Sequence, residues 1–415
     1  MTAFARRMVM TESPRVRRST VSGRTLIALL AFVLGLGTIP HRVCERDAAA
    51  YYRGDAAPVD ALASSVAQWT GSELSPASFA TGSTRFDGEW LFGTYMMAAM
   101  GFGQVALVSR QDNDEARVAQ NVSRMEHCLD AMLSPAARAF DRDAWTLDAI
   151  ASLDAPPHST RDRGHVAYLG YAGLALGLHR VLVPSSRFDA VHDSIAKGLA
   201  RRFEASRNGL VETYPGEVYP VDNTAALGAL ALHAKATHAS TPAGLARGLE
   251  AIRTHGVERE TGLLVQAVDA NTAAPRDPGR GSGTALGAYF LGYADAALSA
   301  SLYRAIRKEL FRTVIGFGAV LEHPSDLAHG SGRADIDSGP IAFGFGVSAT
   351  GFAIGASRMN DDDLAFGALY ATAHLFGAPF DERATRTFAT GGPLGDAILF
   401  AMLTAPRSRA LGRIS

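Results

Sequence analysis

Cysteine is nearly absent from this chain of 415 residues, with Cys44 and Cys128 the only two. That excludes a disulfide framework and a cysteine-based metal site, and Cys128, inside a helical pattern, reads as a small core residue. Aromatic residues are sparse at 8%, and runs of β-branched residues are few, which argues against a sheet-dominated core. The formal net charge is −1, so nothing marks nucleic acid as a partner. No HExxH pair occurs, so a catalytic zinc is not expected, and neither is any other metal or cofactor. Gly279–Gly287 is glycine-rich, but no strand runs directly into it, which argues against a dinucleotide fingerprint. Gly346-Val-Ser348-Ala-Thr-Gly351 departs from the G-x-S-x-G elbow and reads as part of a helix.

What the chain does have is alanine, glycine and a 47% apolar content, a composition that favours close-packed helices. Its basic residues are unevenly placed. Arg6, Arg7, Arg15, Arg17, Arg18 and Arg24 precede the apolar run Thr25–Ile39, and only Glu12 opposes them. A basic segment ahead of such a run is a secretory signal or a short signal anchor, with the basic side cytoplasmic. Residues 1–24 are therefore read as a basic cytoplasmic segment and 25–40 as a signal anchor or signal peptide. Residues 41–86 follow as a linker with the first outer helix, and 87–415 as the catalytic domain. Ala48-Ala-Ala50 is a possible cleavage site, but its distance from the apolar run favours an uncleaved anchor. The body is expected in the cell envelope, tethered to the inner membrane or released as a periplasmic or extracellular protein.

From Asp87 onward apolar, small-residue segments recur, beginning near Gly88, His165, Asp222, Gly281, Ser338 and Gly391. Three of these starts are roughly 59 residues apart, the kind of spacing helical-hairpin repeats give. Each is apolar nearly all round, as a helix buried on every side must be. The first five are followed by amphipathic, charged segments: Asp114–Leu133, Arg187–Glu204, Pro242–Arg253, Ser299–Phe311 and Asp361–Leu375. Ala56–Thr70 is available as the sixth partner. Intervals within pairs are short and intervals between pairs are long. Antiparallel pairing then puts every long loop and every inner-helix N-terminus on one face. The expected fold is all-α, an (α/α)6 toroid of six hairpins with its pocket at the long-loop mouth. Short strands such as Gly262–Asp269 and Gly318–Glu322 are expected there, and two side-by-side helical domains are the alternative architecture.

Long loops in a compact domain are usually functional. The most polar of them is Glu212-Thr-Tyr-Pro-Gly-Glu-Val-Tyr-Pro-Val-Asp-Asn223, which leads straight into an inner helix. Glu212 and Asp222 flank it, and two carboxylates in one pocket can divide acid and base roles. Tyr214 and Tyr219 are placed to donate to a leaving oxygen or to stack on a ligand. His165 opens an inner helix after Arg163-Gly164, a position suited to a general base or hydrogen-bond donor. Asp335 is read as a catalytic group at the same mouth. Asp337, Arg280 and Trp90 belong to the polar lead-ins of other inner helices and are read as substrate-binding. Helix capping and wall packing are the structural alternatives for these residues.

Arg163-Gly-His165-Val-Ala-Tyr-Leu-Gly-Tyr171, the outer helix after it and the Glu212–Asn223 loop resemble the linalool dehydratase/isomerase family. The resemblance runs from about Gly88 to Leu375 in the order of hairpins. It implies an α/α toroid behind a signal segment, and cofactor-free movement of water on and off small terpenoid alcohols. Gly164-His165 matches the family's Gly-His at an inner helix start, which implies a catalytic His165, and Tyr95 on the first inner helix carries over as substrate-binding. The family's loop, however, holds two catalytic cysteines near the positions of Glu212 and Asp222. Carboxylates there point to acid/base work on a C–O bond, as a lyase or isomerase of a hydroxylated substrate. The alternatives are a glycoside hydrolase or polysaccharide lyase acting on a saccharide, and a non-catalytic envelope scaffold or binding protein.

Overall fold

A computed structural model describes residues 22–157, 159–324 and 339–411. Asp335 and Asp337 lie outside the described residues, as does the arginine-rich stretch before Ser22, whereas Arg24 is described. The described residues begin with α1 (Gly23–Glu45) and the short α2 (Ala48–Arg53). Leu26, Ile27, Leu30 and Phe32 of α1 are exposed, whereas Cys44 near its end is buried and His41 packs edge-on against Phe317.

Hairpins follow. α3 (Ala56–Gly71) precedes the pair α4 (Thr84–Gln111) and α5 (Glu115–Met132). After α6 (Ala139–Trp145) come the pairs α7 (Val166–Leu182) with α8 (Asp189–Ala205), and α9 (Pro220–Ala236) with α10 (Ala243–Ala251). The last pairs are α11 (Gly281–Leu291) with α12 (Ala296–Ala305), and α13 (Val347–Met359) with α14 (Asp363–Gly377). α15 (Gly392–Thr404) packs on α3 and α4, and α16 (Ser408–Leu411) ends the described chain.

Among the described residues the contacts run α4 to α7, α7 to α9, α9 to α11, α11 to α13, α13 to α15, and α15 back to α4. That is a closed inner ring of six helices, and α3 takes the outer place beside α15 as the sixth partner. The protein is an (α/α)6 toroid. Glycines set the spacing of the ring. A Cβ on Gly170 would lie 3.0 Å from the Ala226 amide nitrogen, on Gly173 3.0 Å from the Ala229 Cβ, and on Gly177 2.7 Å from the Leu232 Cβ. Positions rising together on α7 and α9 show that the two helices run parallel. Gly93 against Leu394 and Gly101 against Phe400 give the same sense for α4 and α15. The inner N-termini therefore share one face, and the long connections join them there.

α4 is long and apolar enough to cross a membrane, yet it is mostly buried as a wall of the ring. Lower in the ring, Gln104 of α4 bonds the Tyr289 hydroxyl of α11, and Thr404 of α15 donates to Gln104 Oε1 at 3.1 Å. α4 and α11 face each other across the ring, so this buried polar cluster fills its centre below the mouth.

The mouth carries small antiparallel sheets. β1 (Glu217–Val218), β2 (Val265–Asp269) and β3 (Pro275–Gly279) form one. β4 (Phe311–Val314) pairs with β5 (Phe317–Val320), β6 (Ile341–Ala342) with β7 (Phe345–Gly346), and β8 (Pro379–Glu382) with β9 (Thr385–Phe388). Two expectations need correction. The fifth inner helix starts at Val347 rather than near Ser338, because Phe343 and Gly344 take positive φ and turn the chain into the β6–β7 hairpin. Ser348 accordingly follows a strand-to-helix turn at Gly346 and does not lie in the middle of a helix.

Candidate active site

The Glu212–Asn223 loop is held at both ends by Asn223, which is fully buried. Asn223 Oδ1 accepts from the Val211 amide at 2.8 Å, and its Nδ2 donates to the Val211 and Tyr219 carbonyls. Pro220 begins α9, where a missing amide hydrogen costs nothing. Asp222 thus falls in the first turn of α9, at the positive end of the helix dipole. Its oxygens accept from Tyr171 Oη and Thr213 Oγ1, each at 2.9 Å. Glu212, ten residues earlier, accepts the Val166 amide of α7 at its backbone carbonyl, while its Oε2 is buried with no hydrogen-bond partner.

Tyr214 reaches across to the first inner helix. Its hydroxyl donates to Glu89 Oε2 at 3.1 Å, and the Arg85 guanidinium stacks 3.7 Å above the ring. Burial pushes the Tyr214 phenol well above its ordinary range, with the Glu89 and Asp222 charges adding to the effect. Tyr219 donates to Glu217 Oε2 at 3.2 Å, and its amide is held by Thr213 Oγ1. Glu212, Asp222, Tyr214 and Tyr219 therefore sit on one short, well-tied loop facing the entries of α4 and α7.

His165 sits at the N-cap of α7, with φ +61°. Its ring stacks on Trp145 at 4.7 Å, and its Nδ1 lies 2.6 Å from Asp141 Oδ2, with both residues buried. Trp145 Nε1 donates to the Thr213 carbonyl at 3.3 Å, which joins this cluster to the loop. Gly164 is required here: φ is +68°, and a Cβ would come within 2.0 Å of the Trp145 ring. Arg202 grips the Gly164 carbonyl at 3.1 Å and Ser152 Oγ at 2.8 Å, while Arg201 pairs with Asp162 at 2.6 Å. Burial raises the Asp141 carboxyl above the usual carboxylate range, an effect that the His165 hydrogen bond opposes.

The other expected groups are not brought to this cluster. Arg280, 6% exposed, donates to Gln266 Oε1 at 2.7 Å and lies 3.5 Å from the fully buried Glu322, whose Oε1 also accepts from Ser282. The guanidinium is thus tied into the entry of α11. Trp90 packs edge-on against Phe79. Tyr95 lies further down α4, buried in the hydrophobic core, with Cys128 of the outer helix α5 among its neighbouring titratable groups. Cys128 is buried and its thiol is pushed up to about 12, and Cys44 is also buried and raised. Neither takes the place of a loop thiolate. Among the described residues no cluster of three or more His, Cys, Asp or Glu side chains is arranged to hold a metal. A cavity of about 440 Å³ opens between the ends of α9, α11 and α13, lined by Lys235, Tyr293, Met359 and Leu411, and none of the candidate residues line it.

Asp141, Trp145, Glu89, Arg85 and Tyr171 complete the site and were not singled out by sequence. Glu89 and Arg85 stand in the polar lead-in of the first inner helix, and Tyr171 nearly two turns below His165, so helix position was their available signal. Asp141 and Trp145 lie in α6, inside a stretch read as loop.

No protein-family model matches the chain, and no curated protein matches it. Some solved structures are distantly similar to it. The family 76 α-mannanase of Bacteroides thetaiotaomicron is 9% identical with a TM-score of 0.42, over 78% of this chain and 87% of that one. A family 76 glycoside hydrolase from a bovine strain of the same species is 10% identical with a TM-score of 0.45, over 76% and 68%. The unsaturated glucuronyl hydrolase of Bacillus sp. GL1 is 13% identical with a TM-score of 0.43, over 76% and 85%.

Proposed function

We propose that the chain is an acid/base enzyme that breaks or rearranges a C–O bond of a hydroxylated substrate. One observation carries the reading. A single loop presents two carboxylates in unlike surroundings, Asp222 fixed by two hydroxyl donors and Glu212 with a buried oxygen that has none. Such asymmetry is what a division between acid and base roles requires. Glu212 exchanges a proton with the substrate oxygen. Asp222 acts as the fixed acceptor, holding the Tyr171 and Thr213 hydroxyls in register. His165 and Tyr214 orient or protonate the leaving oxygen, and the inner-helix N-termini favour negative charge developing there.

A lyase or isomerase of the linalool dehydratase/isomerase type fits the Gly164-His165 start. Its thiol route does not, since Cys44 and Cys128 are buried away from the loop. Glycosidic cleavage is the second reading, favoured by the paired carboxylates together with the half-buried Tyr219 as a sugar platform. The exposed apolar residues of α1 support a membrane tether, and with it the reading of a cell-envelope enzyme.

The test is turnover of a panel of small allylic and tertiary alcohols and of aryl glycosides. Glu212→Gln and Asp222→Asn are each expected to lower kcat by about 10²–10⁴ on whichever class is turned over, with the melting transition retained. Unchanged turnover in both variants refutes the assignment. Turnover of glycosides but not alcohols selects the second reading.

A further inference from the structure

We propose that Asp141 is a positioning residue, holding the Nδ1 proton of His165 so that Nε2 remains the basic nitrogen of the ring. The proposal deepens the reading above, since it takes His165 as a proton-transfer group of the same site.

The geometry is that of a built support rather than a chance contact. The two groups are 2.6 Å apart, with side chains 1% and 0% exposed. Trp145 covers one face of the imidazole, at an interplanar angle of 29°. Two successive left-handed residues, Gly164 and His165, turn the chain to bring the ring there, and a non-glycine residue keeps that conformation only where its surroundings over-determine it. Arg202 and Ser152 lock the preceding carbonyl. The pair itself is incompletely satisfied, because Asp141 Oδ1 is buried with no partner. A buried carboxylate with an open oxygen is a poor way to gain stability, as an apolar pair of similar volume would serve packing better. It is a good way to fix an imidazole tautomer, since the nitrogen bonded to a carboxylate keeps its proton. The other charged groups facing Asp141 are Asp148, itself an acceptor, and Arg202, whose nitrogens are engaged by Asp162, the Gly164 carbonyl and Ser152, so neither displaces His165 as its donor. Among the described residues no hydrogen bond to His165 Nε2 competes with that role.

The experiment is a long-range ¹H–¹⁵N spectrum of histidine-labelled full-length protein, with the His165 signals assigned by their loss in His165→Gln. Near neutral pH the wild type is expected to show Nδ1 protonated and Nε2 bare. In Asp141→Asn the population moves toward the Nε2–H tautomer. In turnover, Asp141→Asn is expected to lose kcat at least tenfold with KM within about twofold. A wild-type ring protonated at Nε2 overturns the proposal, and that measurement needs no substrate. An unchanged tautomer in Asp141→Asn overturns it as well. Failure of the Glu212 and Asp222 variants to lose activity would overturn the catalytic reading while leaving the tautomer assignment standing.

Discussion

Gly164→Ala is the sharpest perturbation of the cradle that holds His165. An alanine there adopts φ +68°, which costs roughly 1–2 kcal/mol in left-handed strain. Its Cβ would stand 2.0 Å from the Trp145 ring, far inside van der Waals contact, so the indole must move by more than an ångström. Overpacking of this kind costs about 1–3 kcal/mol. The displaced indole also loses its hydrogen bond to the Thr213 carbonyl and its stack on His165, together worth about 1 kcal/mol. The sum is about 3–6 kcal/mol, a large share of the roughly 5–15 kcal/mol that holds a typical domain together. Urea denaturation followed by tryptophan emission measures it, with Trp69 and Trp90 as the other reporters. Gly164→Ala in a Trp145→Ala background isolates the clash, because only the backbone strain should then remain. A loss below about 1 kcal/mol in the wild-type background would refute the cradle.

Further expectations follow from buried groups around the ring. Both ring nitrogens of His192 are buried without partners, and burial, then the His233 and Arg180 charges, hold its pKa down at about 3. The unfolded chain takes up that proton near pH 6.5, so stability is intact above that value and falls as the pH drops toward 3, by on the order of 4 kcal/mol. His192→Leu should flatten this acid limb in pH-dependent melting, and an unchanged limb would contradict the assignment. Asp396, bonded to Trp69 Nε1 and the Phe388 amide, is pushed up to about 6 by burial. The native state therefore holds its proton longer than the unfolded chain. That contribution to stability is complete below about pH 3.8 and fades as the pH rises through about 6, a slope that Asp396→Asn should remove. Tyr171→Phe deletes one donor to Asp222 and should lower kcat about tenfold while shifting stability by no more than about 1.5 kcal/mol. A loss confined to stability would make Tyr171 a packing residue.

The ring was readable because apolar, small-residue segments and alternating short and long intervals translate directly into inner and outer helices. Where reading failed, tertiary contacts decided. The start of α13 depends on a hairpin turned at Phe343 and Gly344, and neither residue type announces positive φ together with a strand pair. The loop from Glu212 to Asn223 was visible as an excess of carboxylates and tyrosines, and its position follows from being a long connection. What spacing does not reveal is which groups reach across the mouth. Tyr214 meets Glu89, 125 residues away in the chain. His165 meets Asp141 through a short helix whose sequence carries no apolar period. Arg280 looks like a ligand-binding cation in sequence, and only the buried Glu322 and Gln266 beside it show that it is already engaged.

The most direct measurement is a double-mutant cycle on kcat/KM for Glu212→Gln and Asp222→Asn with a turned-over substrate. If the two carboxylates act as one acid/base unit, each single change lowers the rate by about a hundredfold or more and the double variant is scarcely slower than the worse single. Rates for all three variants within about twofold of the wild type would contradict a catalytic centre on this loop.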